Sequence, residues 1–260
     1  MSTSYVERAG EIFPWKSVGA VLAEDAMLHG PLFTRPLHGA RKIEEFYRAC
    51  FAVAGPVQLR WSLSQDADNL ILGDQIVEGR QISSGFWLQR DASGEVTELS
   101  HGMRPFTRLP PFHDAMRRRL EGFVPDEYWE LDEAARVGMP VGEEMFPPLP
   151  FEDDVRFFVP VTDKPLQGPE RVRGGLDSAM AVYGKRRYLV RFPGREALGS
   201  VFEGARDGHI IRCISVVVMS PTGAVKDIIG CMLPYPVFAL IYHAAKERNF
   251  ERLGAEYFSI

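Results

Sequence analysis

Cysteine is scarce in this chain: Cys50, Cys213 and Cys231 are the only three in 260 residues. Their odd number and the absence of CxxC spacing exclude a disulfide framework and give no zinc pattern, so each reads as a small core hydrophobe. No apolar stretch reaches the ~20 residues that a membrane-crossing helix needs. Residues 1–10 carry neither a basic nor an apolar leader segment, and a cytoplasmic location is expected. Charge of one sign is also lacking. Lys and Arg number 30 against 35 Asp and Glu, a net charge of −5, and the densest basic run, Arg117, Arg118 and Arg119, reads as the solvated face of a helix. Neither nucleic acid nor a membrane surface is an expected partner. Glycine-rich phosphate loops, nucleophile elbows and metal-ligand spacings are missing, so no cofactor and no metal are expected. The remaining composition is ordinary for a globular chain, 45% hydrophobic and 25% charged, with room for two medium-sized domains.

What the sequence does contain is a repeat. Asp25, Pro31, Pro36, Leu37 and Gly39 recur as Asp154, Pro160, Pro165, Leu166 and Gly168 at a constant spacing, 154 − 25 = 129. The same offset pairs Gly79 with Gly208, Ile82 with Ile211, Gly94 with Gly223, Val96 with Val225, Met103 with Met232 and Pro105 with Pro234. Each copy reads as a short strand, a Pro-rich turn, a helix and four strands of period-2 pattern. The helices bury Ile43, Phe46, Tyr47, Cys50 and Phe51 in one copy, and Val172, Leu176, Ala179, Met180 and Tyr183 in the other. The strands fall near 58–63, 70–76, 81–89 and 96–103, then near 187–192, 198–202, 209–219 and 225–233. The predicted fold class is therefore α+β, with domains at 1–122 and 151–260. The copies differ at their starts. An amphipathic helix is predicted over 12–24 using Trp15, Val18, Val21 and Leu22, whereas Pro147, Pro148 and Pro150 forbid one at the equivalent place. Residues 123–150 read as a linker with one helix over 126–137.

This order of elements resembles the nuclear transport factor 2-like superfamily, the cone-shaped fold of ketosteroid isomerase, scytalone dehydratase, limonene epoxide hydrolase and SnoaL-like polyketide cyclases. The resemblance spans each copy nearly end to end and implies two cone-shaped domains, each a curved antiparallel sheet wrapped on helices. It also implies a site inside the cone. The ketosteroid isomerase acids, however, fall at Gly30 and Phe86, and in the second copy at Val159 and Ser215, so that chemistry lacks its carboxylates. The acids of limonene epoxide hydrolase have no counterpart on 58–63. Asp25 and Asp154 recur, and they read as local backbone hydrogen-bonders.

By the resemblance, strand alternation places Ser84, Phe86, Leu88, Leu99, His101 and Met103 inside the first cone, joined by Leu59, Trp61 and Leu63. This is an aromatic-lined pocket for a hydrophobic small molecule. His101 is the candidate acid/base residue, because histidine titrates near neutrality and scytalone dehydratase-like relatives use cone histidines. A buried histidine satisfied by a backbone carbonyl is the alternative. His29, at the rim, is a second catalytic candidate, with a loop or outward position as the alternative, and Arg35 with Lys164 reads either as a basic lip for an acidic substrate or as solvated turn charge. The second cone offers no base. The function expected on this reading is a SnoaL-like cyclase, isomerase or dehydratase acting in the first cone. The alternatives are a non-catalytic binder of apolar small molecules and a protein-interaction module. Ile214, Val216, Val218, Ile229, Cys231 and Leu233 make the outer face of the second sheet apolar. That face is expected to cover Trp87 and its neighbours as an intrachain pseudo-dimer, leaving the chain free to be a monomer.

Overall fold

The computed structural model describes residues 3–8, 13–132 and 149–259. In the first half, β1 (Thr3–Arg8) and a short α1 (Pro14–Ser17) precede β2 (Leu22–His29), β3 (Leu37–His38) and α2 (Ala40–Ala54). The strands β4 (Gln58–Gln65), β5 (Asp68–Val77), β6 (Arg80–Arg90) and β7 (Val96–Arg104) follow, then α3 (Leu109–Arg119) and a 3₁₀ turn, Asp126–Trp129. The second half runs through β8 (Phe151–Phe158), β9 (Leu166–Gln167), α4 (Pro169–Tyr183), β10 (Arg187–Phe192), β11 (Ala197–Arg206), β12 (His209–Met219), β13 (Val225–Leu233) and α5 (Tyr235–Leu253). From β2 to β7, every element except β4 reappears with both ends displaced by 129 residues; β10 keeps the start and stops earlier. Gly55 and Gly184 end α2 and α4 with φ of 69° and 67°, a backbone conformation that stops a helix without the strain a Cβ would bring.

Two local readings give way. The helix predicted over 12–24 stops at Ser17, because Gly19 turns the chain with φ of 71° and Leu22 already starts β2. Asp25 and Asp154 are exposed residues inside β2 and β8 and make no local backbone hydrogen bond. Of the helix predicted over 126–137, residues 126–129 form the 3₁₀ turn and 133–137 lie outside the described residues, as do Pro147 and Pro148. Arg117, Arg118 and Arg119 are exposed on the last turn of α3. Cys50, Cys213 and Cys231 are buried and unpaired. Among the described residues, no helix is long and apolar enough to cross a membrane.

The strands run β1-β4-β5-β6-β7-β13-β12-β11-β10, with β2 parallel to β7 and β8 parallel to β13. The halves join where Met103 of β7 bridges Met232 of β13, residues 129 apart. Other contacts between the halves repeat that relation. Phe106 N–H donates to the Pro160 carbonyl at 2.8 Å, and Tyr235 N–H donates to the Pro31 carbonyl at 2.7 Å. The rings of Phe106 and Tyr235 stack with centroids 5.2 Å apart. In these contacts residue i meets j, and the residue 129 positions from j meets the residue 129 positions from i.

Three apolar clusters result. The largest fills the first half between α2 and the sheet, and continues under α5. A second lies between the first-half and second-half parts of the sheet and holds Leu63, Leu70, Leu72 and Trp87 against Phe192, Val201, Ile214, Val216, Cys231 and Leu233. The third packs α4 on β8. At the inter-sheet contact, Gly85 faces Ile214 and Gly102 faces Cys231. A Cβ on Gly102 would come within 2.9 Å of the Cys231 backbone, so this glycine is required by space. Gly102→Ala is therefore expected to destabilise the fold by about 1–3 kcal/mol in urea unfolding. Ile76→Ala, at an exposed side chain, should change stability by less than about 0.5 kcal/mol.

Candidate functional site

Six residues predicted for the first cone do come together. Ser84, Phe86, Leu88, Leu99, His101 and Met103 are all buried inside the first half. They form a packed core: Tyr47 stacks on His101 with centroids 5.7 Å apart, Phe86 lies 4.4 Å from the same imidazole, and Trp15 packs edge-on to Tyr47. His101 is tied into a chain of hydrogen bonds. Gln75 Nε2 donates to the Gly55 carbonyl at 3.0 Å, and Ser84 Oγ donates to Gln75 Oε1 at 3.1 Å. Ser84 thus offers a lone pair to His101 Nε2, 3.2 Å away, which places the imidazole proton on Nε2. Nδ1 is buried without a partner. Burial lowers the His101 pKa to about 3, so at neutral pH the ring is uncharged and sealed.

Trp61 is placed elsewhere. The β4–β5 register shifts between Leu59 and Trp61, and this bulge reverses the alternation. Leu59 stays with the first-half core, while Trp61 and Leu63 turn to the inter-sheet cluster. His29 and Arg35 lie at the seam, in a cleft of about 240 Å³ whose lining includes Gly30, Glu203, His209 and Pro234. His29 Nε2 is 3.2 Å from Glu98 Oε1, and this contact, together with Arg212, holds the Glu98 carboxyl below its usual range. Arg212 crosses the seam. It reaches Ser100 Oγ at 2.6 Å and Glu203 at 2.9 Å, with its guanidinium 5.5 Å from the Trp87 ring. Arg35, expected as a basic lip, pairs with Asp132 at 3.0 Å, and Lys164 is exposed.

The second half holds an apolar cavity of about 350 Å³, within the size range of small-molecule sites. Helix α4 contributes Leu176 and Tyr183, with Arg173 and Asp177 exposed at the rim. Strands contribute Phe157, Tyr188, Phe202, Cys213, Ser215, Val217, Ile228, Gly230 and Met232. Residues 129 apart differ in size between the open interior of the second half and the filled interior of the first. Tyr47, Phe86 and His101, whose rings fill the first cone, become Leu176, Ser215 and Gly230. Two rings are replaced by a hydroxymethyl group and a hydrogen. Burial pushes the Cys213 thiol and the Tyr183 phenol up to about 12 each, so neither ionises near neutrality. Arg186, beside Tyr183, also lines the cavity and is not among the residues that sequence pattern singles out. Among the described residues, no group of three or more His, Cys, Asp or Glu is placed to hold a metal.

The unfolded chain binds a proton at His101 near pH 6.5, and the folded chain does so only near 3. Stability held by the neutral imidazole is complete above about 6.5 and is lost as pH falls toward 3, by up to about 1.4 kcal/mol per pH unit. Urea unfolding between pH 6.5 and 4.5 should show that slope, and His101→Gln should show less of it.

No protein-family model matches this chain, and no curated protein matches it. Solved structures overlap it in part. A Silicibacter pomeroyi protein described as uncharacterized with a cystatin-like fold is 20% identical, covers 39% of this chain and 72% of its own, with a TM-score of 0.38. A steroid delta-isomerase from Pseudomonas aeruginosa is 19% identical over 40% of this chain and 77% of its own, at 0.37. A Kribbella flavida protein is 19% identical over 39% and 78%, at 0.31.

Proposed function

We propose that this protein binds an apolar small molecule in the second-half cavity. On this reading the chain is two nuclear transport factor 2-like copies, 1–122 and 151–260, joined by a linker at 123–150 and packed as an intrachain pseudo-dimer. The first copy serves as a filled scaffold and the second as the binding cone. The observation that carries the reading is the contrast between the two interiors: rings of Tyr47, Phe86 and His101 occupy one, while Leu176, Ser215 and Gly230 leave about 350 Å³ in the other.

The pairing of halves is supported by the reciprocal Phe106–Pro160 and Tyr235–Pro31 hydrogen bonds and by the apolar cluster between the sheets. A non-catalytic role is supported by the lining. A general base must reach its proton at a workable pKa, and the buried Cys213 and Tyr183 are held up near 12. SnoaL-like acid/base chemistry at His101 draws less support, because that imidazole is 2% exposed and stacked upon. An enzymatic reading finds its best footing at the seam, where His29 and Glu98 form a half-buried pair 3.2 Å apart.

The neutral fluorophore N-phenyl-1-naphthylamine is expected to bind with a blue-shifted, enhanced emission. Ser215→Phe installs the first copy's ring at the equivalent point and should weaken binding by at least about tenfold, since filling the space removes the apolar contact area. Unchanged binding in a folded Ser215→Phe variant would contradict the assignment of the cavity.

A further inference from the structure

We infer that the ligand of the second-half cavity carries a carboxylate, and that Arg186 is the side chain that receives it. This rests on the binding function proposed for the cavity and adds the chemical class of the head group.

Arg186 follows the C-terminal glycine of α4 by two residues and immediately precedes β10. It is only 5% exposed and lines the cavity. Its guanidinium lies against two rings, 5.2 Å from Tyr183 and 4.8 Å from Phe202. Nη2 donates to the Tyr183 hydroxyl at 3.1 Å, and Nε is buried with no acceptor. Among the described residues no carboxylate pairs with it, and Asp177 stands exposed at the rim. A buried cation without a counterion is costly, so buried charges are ordinarily paired. The rings and the end of α4 offset part of that cost, and neither supplies the missing acceptors.

The fold does not need a charge at this point. The equivalent residue of the first copy is Val57, 4% exposed, in the half whose cone is full. The cation therefore accompanies the open cavity. Guanidinium presents its donors in a flat fork that matches a carboxylate, and the walls of the cavity are mostly apolar, with Ser200 and Ser215 among them and Arg173 and Asp177 exposed at the rim. A single-headed carboxylic acid with a flexible or aromatic apolar body satisfies both features.

Decanoate and decanol, which share a tail and differ in the head, test this by displacement of N-phenyl-1-naphthylamine at pH 7.5. The wild-type protein should bind decanoate at least about tenfold more tightly than decanol, the margin expected of hydrogen bonds to a charged group. Arg186→Met should remove that preference, and Arg186→Lys should restore part of it. Equal affinities for the two probes in the wild type would overturn the carboxylate inference and leave the cavity reading standing. Preserved discrimination in Arg186→Met would also overturn it. Failure of both probes and the fluorophore to bind would overturn the cavity reading itself. The wild-type comparison decides the matter even if Arg186→Met does not fold.

Discussion

Burial of one apolar sheet face against another is the constraint on which the rest of this molecule depends. An antiparallel sheet commonly packs one face on its helices and leaves the other to water. Here the outer faces carry Trp87, Leu70 and Leu72 on one side and Ile214, Val216 and Cys231 on the other, and they bury each other. The contact brings equivalent residues together: Met103 with Met232, Phe106 with Tyr235, Gly85 with Ile214 and Gly102 with Cys231. In the last two pairs a glycine meets a larger residue. In a dimer of identical subunits, residues meeting on the axis must be alike. In a single chain they can differ, and a glycine on one copy makes room for the larger residue of the other.

The same freedom explains the two interiors. On the proposed two-copy reading, one half keeps a cavity and the other is filled by packing. Tyr47, Phe86 and His101 pack the first half, where burial keeps the histidine neutral and Ser84 and Gln75 tie it into a chain of hydrogen bonds. The second half has Ser215 and Gly230 in its cavity lining and places its large rings, Tyr183 and Phe202, beside Arg186. The charged groups follow the same division. Arg212 is committed to the seam, bonded to Ser100 and Glu203, whereas Arg186 faces the cavity with donors to spare.

Much of this is legible in the sequence because it depends on spacing. The offset of 129 locates every repeated element, and period-2 alternation gives the buried faces of β6 and β7. What alternation cannot show is a bulge. The register shift after Leu59 turns Trp61 outward, and nothing in the residues of β4 announces it. The helix read over 12–24 has the right apolar spacing, yet Gly19 ends it after one turn, a local backbone preference outweighing periodicity. The site is hidden for a different reason. A histidine such as His101 points to chemistry in the first cone, but residue type says nothing of whether the ring is sealed. Volume is the better signal: comparing Phe86 with Ser215 and His101 with Gly230 marks the second cone as the roomier one. Comparing Val57 with Arg186 marks a cation where the fold is satisfied by an aliphatic side chain.

The central claim, that the second cone binds and the first is filled, is tested most directly by a crystal structure of the protein grown with decanoate. The account predicts electron density for the ligand among Leu176, Ser215, Phe202 and Gly230, its carboxylate against Arg186, with Tyr47, Phe86 and His101 unmoved. Density for the ligand beside His101, or in the seam cleft at His29, would contradict it.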